Sequence, residues 1–231
     1  AICSKVQEIN VYSAINRNYD TVIAPAFMQD LSQVACIACG QCVIACPTAS
    51  LTEKECIDSV WEALEDPDKY VVVQTAPSIQ VTLGEEFGFP AGTAVTGKLA
   101  AALRRLGFDK VFATDFTADL AVLEEAHELL ERLGGRGKLP LLTSCCPGWV
   151  KFAEHFYPDC LENLSTCKSP HEMFGALTKT YFAGKEGIDP EKIVVVAIMP
   201  CTAKKFEAAR PEMGTGDFKD VDWVLTTREL A

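Results

Sequence analysis

Four cysteines within a single short stretch, "CIACGQCVIACP", constrain this chain more than any other feature. Cys36, Cys39, Cys42 and Cys46 follow the spacing C-x2-C-x2-C-x3-C, and Pro47 comes next. This is the bacterial ferredoxin-type run for a cubane 4Fe–4S cluster. The short gaps let one tight loop wrap three thiolates around a cubane, while the fourth cysteine points away toward another cluster. Zinc sites usually separate two cysteine pairs with a longer spacer. Gly40 relieves crowding where backbone amides approach the sulfides. By the crossing rule, Cys36, Cys39 and Cys42 need a fourth ligand from elsewhere, and Cys3 is the natural candidate. Cys46 then serves a second cluster.

The rest of the composition agrees with metal binding. Eleven cysteines, an odd number, open no disulfide framework in a chain without a secretory leader. The net charge of −11 argues against nucleic acid and anionic membranes. No apolar run approaches the roughly 20 residues of a membrane span, so no membrane insertion is expected. A hydrophobic content of 48% over 231 residues suffices for one large core, or for a core with a small satellite. Both ends read as cut: there is no initiating Met, and "VLTTRELA" stops where a helix starts. The expectation is a fragment.

Beyond "ECIDSVWEALED", a short amphipathic helix ended by Pro67, the pattern becomes strand, loop, helix, repeated. "YVVVQTAPS", "KVFATD", "LPLLTS", "KIVVVAIMP" and "VDWVLTT" read as strands. "GKLAAALRRLGF", "ADLAVLEEAHELLERLGG", "PGWVKFAEHFYP" and "SPHEMFGALTKTYFAG" read as helices. Uninterrupted apolar strands alternating with helices predict an α/β fold with a mixed, largely parallel sheet flanked by helices. A partial α+β ferredoxin-like domain precedes it. The predicted division is 1–54 for the iron–sulfur part and 55–231 for part of a catalytic domain. Such sheets carry their sites beyond the carboxyl ends of the strands, where "TAPS", "TSCCPGW" and "MPCTAKKFE" fall.

"TSCCPGW" (143–149) and "MPCTAKKFE" (199–207) resemble the first two signature motifs of the iron-only (FeFe) hydrogenases. With the ferredoxin motif and "TAPS", the resemblance covers essentially the whole chain. The family's third signature, with two more cysteines, does not occur in it; its place lies beyond Ala231. The resemblance implies reversible oxidation of dihydrogen at an H-cluster, a 4Fe–4S cubane joined through a cysteine sulfur to a di-iron unit with CO, cyanide and azadithiolate. It makes Cys146 and Cys201 two of that cubane's ligands and Cys145 the free thiol that exchanges protons with the azadithiolate. It assigns Lys204 to one cyanide, Ser78 with the backbone of Ala76 and Pro77 to the other, and Met199 to apolar cover of the di-iron unit. Glu207 closes the second signature and belongs with the site. The proton route maps onto Glu125, Ser165, Glu128 and Arg132, leading outward from Cys145. Electrons pass to ferredoxin or another redox subunit, in a reducing, oxygen-poor cytoplasm. One position departs from the family pattern: "SPH" stands where "SPQ" is usual, giving His171, and Cys167 nearby is also unusual.

Plainer readings accompany these. Cys56 and Cys160 match no motif and read as small buried thiols; Cys167 reads mainly as structural. Glu125, Glu128 and Arg132 share one helix face and on spacing alone form a solvated stripe. His127 and His155 read as surface residues, His171 as a pocket wall, Trp149 as core packing. Three rival classes stand beside the enzyme: a hydrogenase-like iron–sulfur assembly protein without the di-iron unit, a plain electron-transfer module, and a sensory hydrogenase with slow turnover. The relay thiol Cys145 and Lys204 speak against the first, and the long α/β segment against the second.

Overall fold

The computed structural model describes residues 2–231. The amino-terminal part is built of short pieces: α1 (Ile2–Lys5), a hairpin of β1 (Ser13–Ile15) and β2 (Val22–Ala24), and α2 (Gln41–Ile44). These are followed by α3 (Ile57–Glu65), β3 (Tyr70–Thr75), α4 (Ile79–Glu86), α5 (Thr96–Leu106), β4 (Lys110–Ala113), α6 (Asp115–Glu131), α7 (Pro147–Phe156), α8 (Pro170–Leu177) and α9 (Ala183–Glu186). The chain ends with β5 (Ile193–Ile198), α10 (Ala203–Ala208), the small hairpin β6 (Gly214–Thr215) and β7 (Phe218–Lys219), β8 (Trp223–Leu225) and α11 (Thr227–Leu230).

A four-stranded sheet in the order β4-β3-β5-β8 organises the larger part, with every pairing parallel. β3 and β5 are central and nearly wholly buried because "VVV" in each leaves no polar face to present to water. Helices cover both faces. Leu83, Leu99 and Leu103 of α4 and α5 and Phe174 of α8 pack into the same core as Val71–Val73 and Val195–Ile198. β3 and β5 run in register from Tyr70↔Ile193 to Thr75↔Ile198, so the residues that follow each strand emerge side by side. Ala76 and Met199 thus flank one point on the carboxyl edge, the position such sheets use for sites.

The predicted helices and four of the five predicted strands form. The fifth, "LPLLTS", does not become a strand. Leu142 makes one parallel bridge to Leu164, closed by Leu142 N–H to Asn163 O at 2.8 Å and Ser165 N–H to Leu142 O at 2.7 Å. Pro140 lacks the N–H a ladder needs, and its opposite segment, 158–163, is wound into a 3-10 turn. The helices α4 and α10 carry no strong sequence periodicity and are not among the predicted elements.

The amino-terminal part docks on this edge. Thr202 Oγ1 donates to Ala38 O at 3.1 Å, Arg228 pairs with Glu53 at 3.0 Å, and Cys56 N–H donates to Glu229 Oε1 at 3.1 Å. Among the described residues no helix is long and apolar enough to cross a membrane.

Candidate metal and proton-transfer site

Cys3, Cys36, Cys39 and Cys42 line one small cavity, together with Val11, Tyr12 and Gly40. α1 brings in Cys3, and the Val11 N–H donates to its sulfur at 3.4 Å. Burial pushes the Cys42 thiol up, and the neighbouring Cys36 and Cys39 add to the shift. Crowded thiols of this kind are relieved when they deprotonate onto a shared cation. Cys46 does not line this cavity. It faces an adjoining pocket with Thr48 and Ser50, and the hydrogen bond from Thr48 pulls its thiol down to about 7. Cys3 and Cys42 border that pocket as well.

Gly40 explains how the cysteine loop meets the rest. Its φ is +69°, and a Cβ there would lie 2.4 Å from Thr202 Oγ1. Thr202 directly follows Cys201. Cys39 and Cys201 accordingly line a common cavity. Ala38 holds a left-handed φ of 55°, a strained value for a residue with a Cβ, and its carbonyl accepts the Thr202 hydroxyl.

The two signature segments converge from separate helices. Cys146 caps the amino end of α7, whose Pro147 has no N–H to lose at that position. Cys201 stands just ahead of α10, and α7 packs against α10. Lys204 closes the gap: its ammonium donates to the Cys145 carbonyl at 2.8 Å and to Glu207 Oε2 at 2.7 Å. Met199 is buried, with its N–H on Leu225 O at 2.9 Å. Ala76 is buried and its N–H bonds Ile198 O, whereas Pro77 is exposed and Ser78 half-buried at the start of α4.

The acidic face of α6 turns inward. Glu128 accepts Ser165 Oγ–H at 2.7 Å, Arg132 Nε–H at 3.0 Å and the Thr166 N–H at 3.2 Å, with Cys167 Sγ at 3.8 Å. Although partial burial pushes its carboxyl up, these donors outweigh it and hold it below the ordinary value. Glu125 goes the other way, raised by burial and by the Glu128 charge. Burial also raises the Cys145 thiol; Lys204 opposes this and Glu125 adds to it. The two neighbouring carboxyls are thus driven in opposite directions, Glu125 toward its protonated form and Glu128 toward its ionised one. Arg132 does not lead outward. It is 6% exposed, and its guanidinium is saturated by Glu128 and by the carbonyls of Lys138, Glu162, Asn163 and Leu164. The π-helical turn that ends α6 at Arg132–Arg136 tucks it under the chain.

His171 is no pocket wall. It is 1% exposed, between two buried carboxylates: Nε2 meets Glu207 Oε2 at 2.7 Å and lies 3.1 Å from Glu172 Oε1. Burial pushes its pKa down, but the flanking carboxylates outweigh this and leave it raised. Burial likewise raises Glu207, and His171 with Lys204 more than reverses it. Glu172 and its neighbour Gln74 carry no motif; the departure at 171 is the only sequence signal that points here. Cys56 is buried as expected, whereas Cys160 is half-buried. His127 and His155 are exposed, and Trp149 is half-buried against Phe152.

Residues 69–231 match the family described as "Iron only hydrogenase large subunit, C-terminal domain", and residues 33–52 match "4Fe-4S binding domain". The chain is 57% identical over its whole length to the NADP-reducing hydrogenase subunit HndD of Solidesulfovibrio fructosivorans, of which it covers 40%. It is 47% identical over 99% of its length to iron hydrogenase 1 of Clostridium pasteurianum, again covering 40%. A solved structure of a single-residue variant of the FeFe-hydrogenase HydA1 from Chlamydomonas reinhardtii superposes with a TM-score of 0.73 at 42% identity, over 77% of this chain and 46% of that one. The chain therefore spans less than half the length of these relatives.

Proposed function

Because this chain belongs to the iron-only hydrogenase large-subunit family, we propose that the protein it represents reversibly oxidises dihydrogen to two protons and two electrons. The observation that carries the reading is the Lys204 bridge: the residue three beyond Cys201 reaches the Cys145 carbonyl at 2.8 Å. It ties the loop of the first signature to the helix that carries the second.

Cys3, Cys36, Cys39 and Cys42 fit a 4Fe–4S cubane, since four thiols line one cavity and a backbone N–H already serves a sulfur. Cys46 belongs to a second cluster. Cys146 and Cys201 fit as two of the four thiolates of the H-cluster cubane. That group supplies the metal chemistry on which dihydrogen is made or split. Everything else falls to side chains of this chain. Cys145, exposed on its loop with its thiol held above the ordinary value, is the proton-exchanging group, and Glu125, which acts on it electrostatically, is the carboxyl suited to take the proton onward. Glu128, fixed by Ser165 and Arg132, stays ionised and stabilises a protonated neighbour. Lys204 would offer a cationic donor to one cyanide ligand, and Ser78 with the backbone of Ala76 and Pro77 would serve the other. Met199 limits water at the di-iron unit. Cys39 and Cys201 line one cavity, so a cubane held by each would be placed to pass electrons between them and onward to ferredoxin or another redox subunit. A reducing, oxygen-poor compartment suits eleven free cysteines.

The test is Cys145→Ala in the full-length, cluster-loaded protein. Hydrogen turnover should fall by about 100-fold or more, the scale of a lost acid–base group, with iron content unchanged. Parallel loss of iron and activity would move Cys145 from proton exchange to metal binding.

A further inference from the structure

A buried polar chain runs behind Lys204, and none of its outer members belongs to a signature motif. Thr114 Oγ1 donates to Gln74 Oε1 at 3.0 Å, and Gln74 Nε2 donates to the His171 carbonyl at 2.8 Å. The His171 ring then meets Glu207, Glu207 meets Lys204, and Lys204 meets the Cys145 carbonyl. Gln74 and Glu172 are 0% exposed and Glu207 is 3% exposed. Both Glu172 oxygens lack a hydrogen bond, as does His171 Nδ1. Buried polar atoms left so are costly unless charge compensates them.

The His171 ring and the Lys204 ammonium both lie against the carboxylates here: Nε2 within 3.1 Å of Glu172 and 2.7 Å of Glu207, and Nζ 2.7 Å from Glu207. The donor atoms of His171, Glu172 and Glu207 lie within 4.8 Å of one another, close enough for a cation. Glu207 Oε2 already takes both the imidazole and the ammonium, so the Glu207 end of the cluster has its cationic partner in Lys204.

We propose that His171 is a positioning residue for Lys204. It holds Glu207 from behind and shares its charge, so that Lys204 keeps a donor on the Cys145 carbonyl instead of surrendering wholly to Glu207. Glu172 lies against the same ring nitrogen, 3.1 Å from Nε2, and Gln74 fixes the backbone the imidazole hangs from. Without His171, Glu207 turns toward Lys204 and draws the ammonium off the signature loop. Only the infrared arm below rests on the hydrogenase reading.

The experiment compares full-length wild type with His171→Leu, His171→Asn and His171→Gln. Glutamine carries an amide nitrogen where the ring has Nε2, whereas asparagine carries it near Nδ1, short of Glu207. In crystal structures of protein lacking the di-iron unit, the Lys204–Cys145 contact should persist in wild type and His171→Gln. It should be lost in His171→Leu and His171→Asn; the asparagine variant decides if leucine does not fold. Survival of the contact in His171→Asn, or its absence from wild type, overturns the proposal. In loaded protein, the cyanide infrared bands should shift in His171→Asn and return in His171→Gln, with the CO bands moving less. Equal shifts of both would overturn a role through Lys204. A wild type with no cyanide bands would sink the hydrogenase reading, while the crystal structures still decide the role of His171.

Discussion

At the scale of single residues, the site is made by pairing groups whose environments oppose each other. Glu125 and Glu128 lie three apart on α6, yet burial and the Glu128 charge raise one while Ser165, Arg132 and Thr166 lower the other. Removing Glu128 leaves Arg132 buried with its carbonyl partners alone. Glu128→Ala should therefore cost about 2–3 kcal/mol at neutral pH, below the full penalty of breaking a buried pair because those carbonyls remain. The sign with pH is set by the lowered carboxyl. Its contribution is complete above the ordinary carboxylate range and fades as pH falls through the depressed folded value. Urea melts of wild type and Glu128→Ala should differ most near about pH 7 and converge in acid; a gap that widens in acid would contradict this assignment. The helical spacing puts Glu125, Glu128 and Arg132 on one face. It does not say that the face turns inward, because that depends on Ser165 and on the 138–164 backbone arriving from elsewhere in the chain.

At the scale of elements, function depends on loops that dock without side-chain bulk between them. The cysteine loop and the segment after Cys201 meet at Gly40 and Thr202. A Cβ at Gly40 faces both a left-handed φ and an overlap at 2.4 Å. Gly40→Ala should cost roughly 1–2 kcal/mol for the backbone and a further 1–3 kcal/mol or so for the overlap. Adding Thr202→Gly should recover the overlap portion alone. Denaturant midpoints of the two variants separate these costs, and equal midpoints would show that the approach is looser than this geometry. Elements differ in how far they can be read from the sequence. β3 and β5 are plain because three consecutive valines suit only a strand buried on both faces. "LPLLTS" has the same apolar look but lacks a neighbouring ladder, a fact of tertiary pairing that composition does not carry. α10 begins inside a motif read for its chemistry, and its role as the platform for Lys204 and Glu207 emerges only once α7 packs beside it.

At the scale of the whole molecule, the cysteine loop docks on the segments that follow β5 and β8 of the parallel sheet, through Thr202 on Ala38 and Arg228 on Glu53. Five cysteines belong to the amino-terminal part: Cys3, Cys36, Cys39 and Cys42 share a cavity that Cys46 does not line, while Cys46 opens on a second pocket that Cys3 and Cys42 also border; the division concerns the first cavity alone. The sequence separation of Cys3 from Cys36 hides this grouping, and only the crossing rule anticipates it. The division has a consequence for metal content. Cys3→Ser removes a thiol from the cavity it shares with Cys39, whereas Cys46→Ser leaves all four of its thiols in place. In the chain reconstituted anaerobically with iron and sulfide, Cys3→Ser should lose most of a cubane's worth of iron, about four atoms, together with its visible absorption. Cys46→Ser should retain both. Because Cys39 also borders the Cys201 cavity, Cys3→Ser in the full-length protein should slow electron delivery to an external acceptor while Cys145-dependent proton exchange persists. Isotope exchange between dihydrogen and water, which needs no external electrons, separates the two. Loss of exchange in step with electron transfer would mean that the cavity supports the architecture of the catalytic edge, and not only the electron route.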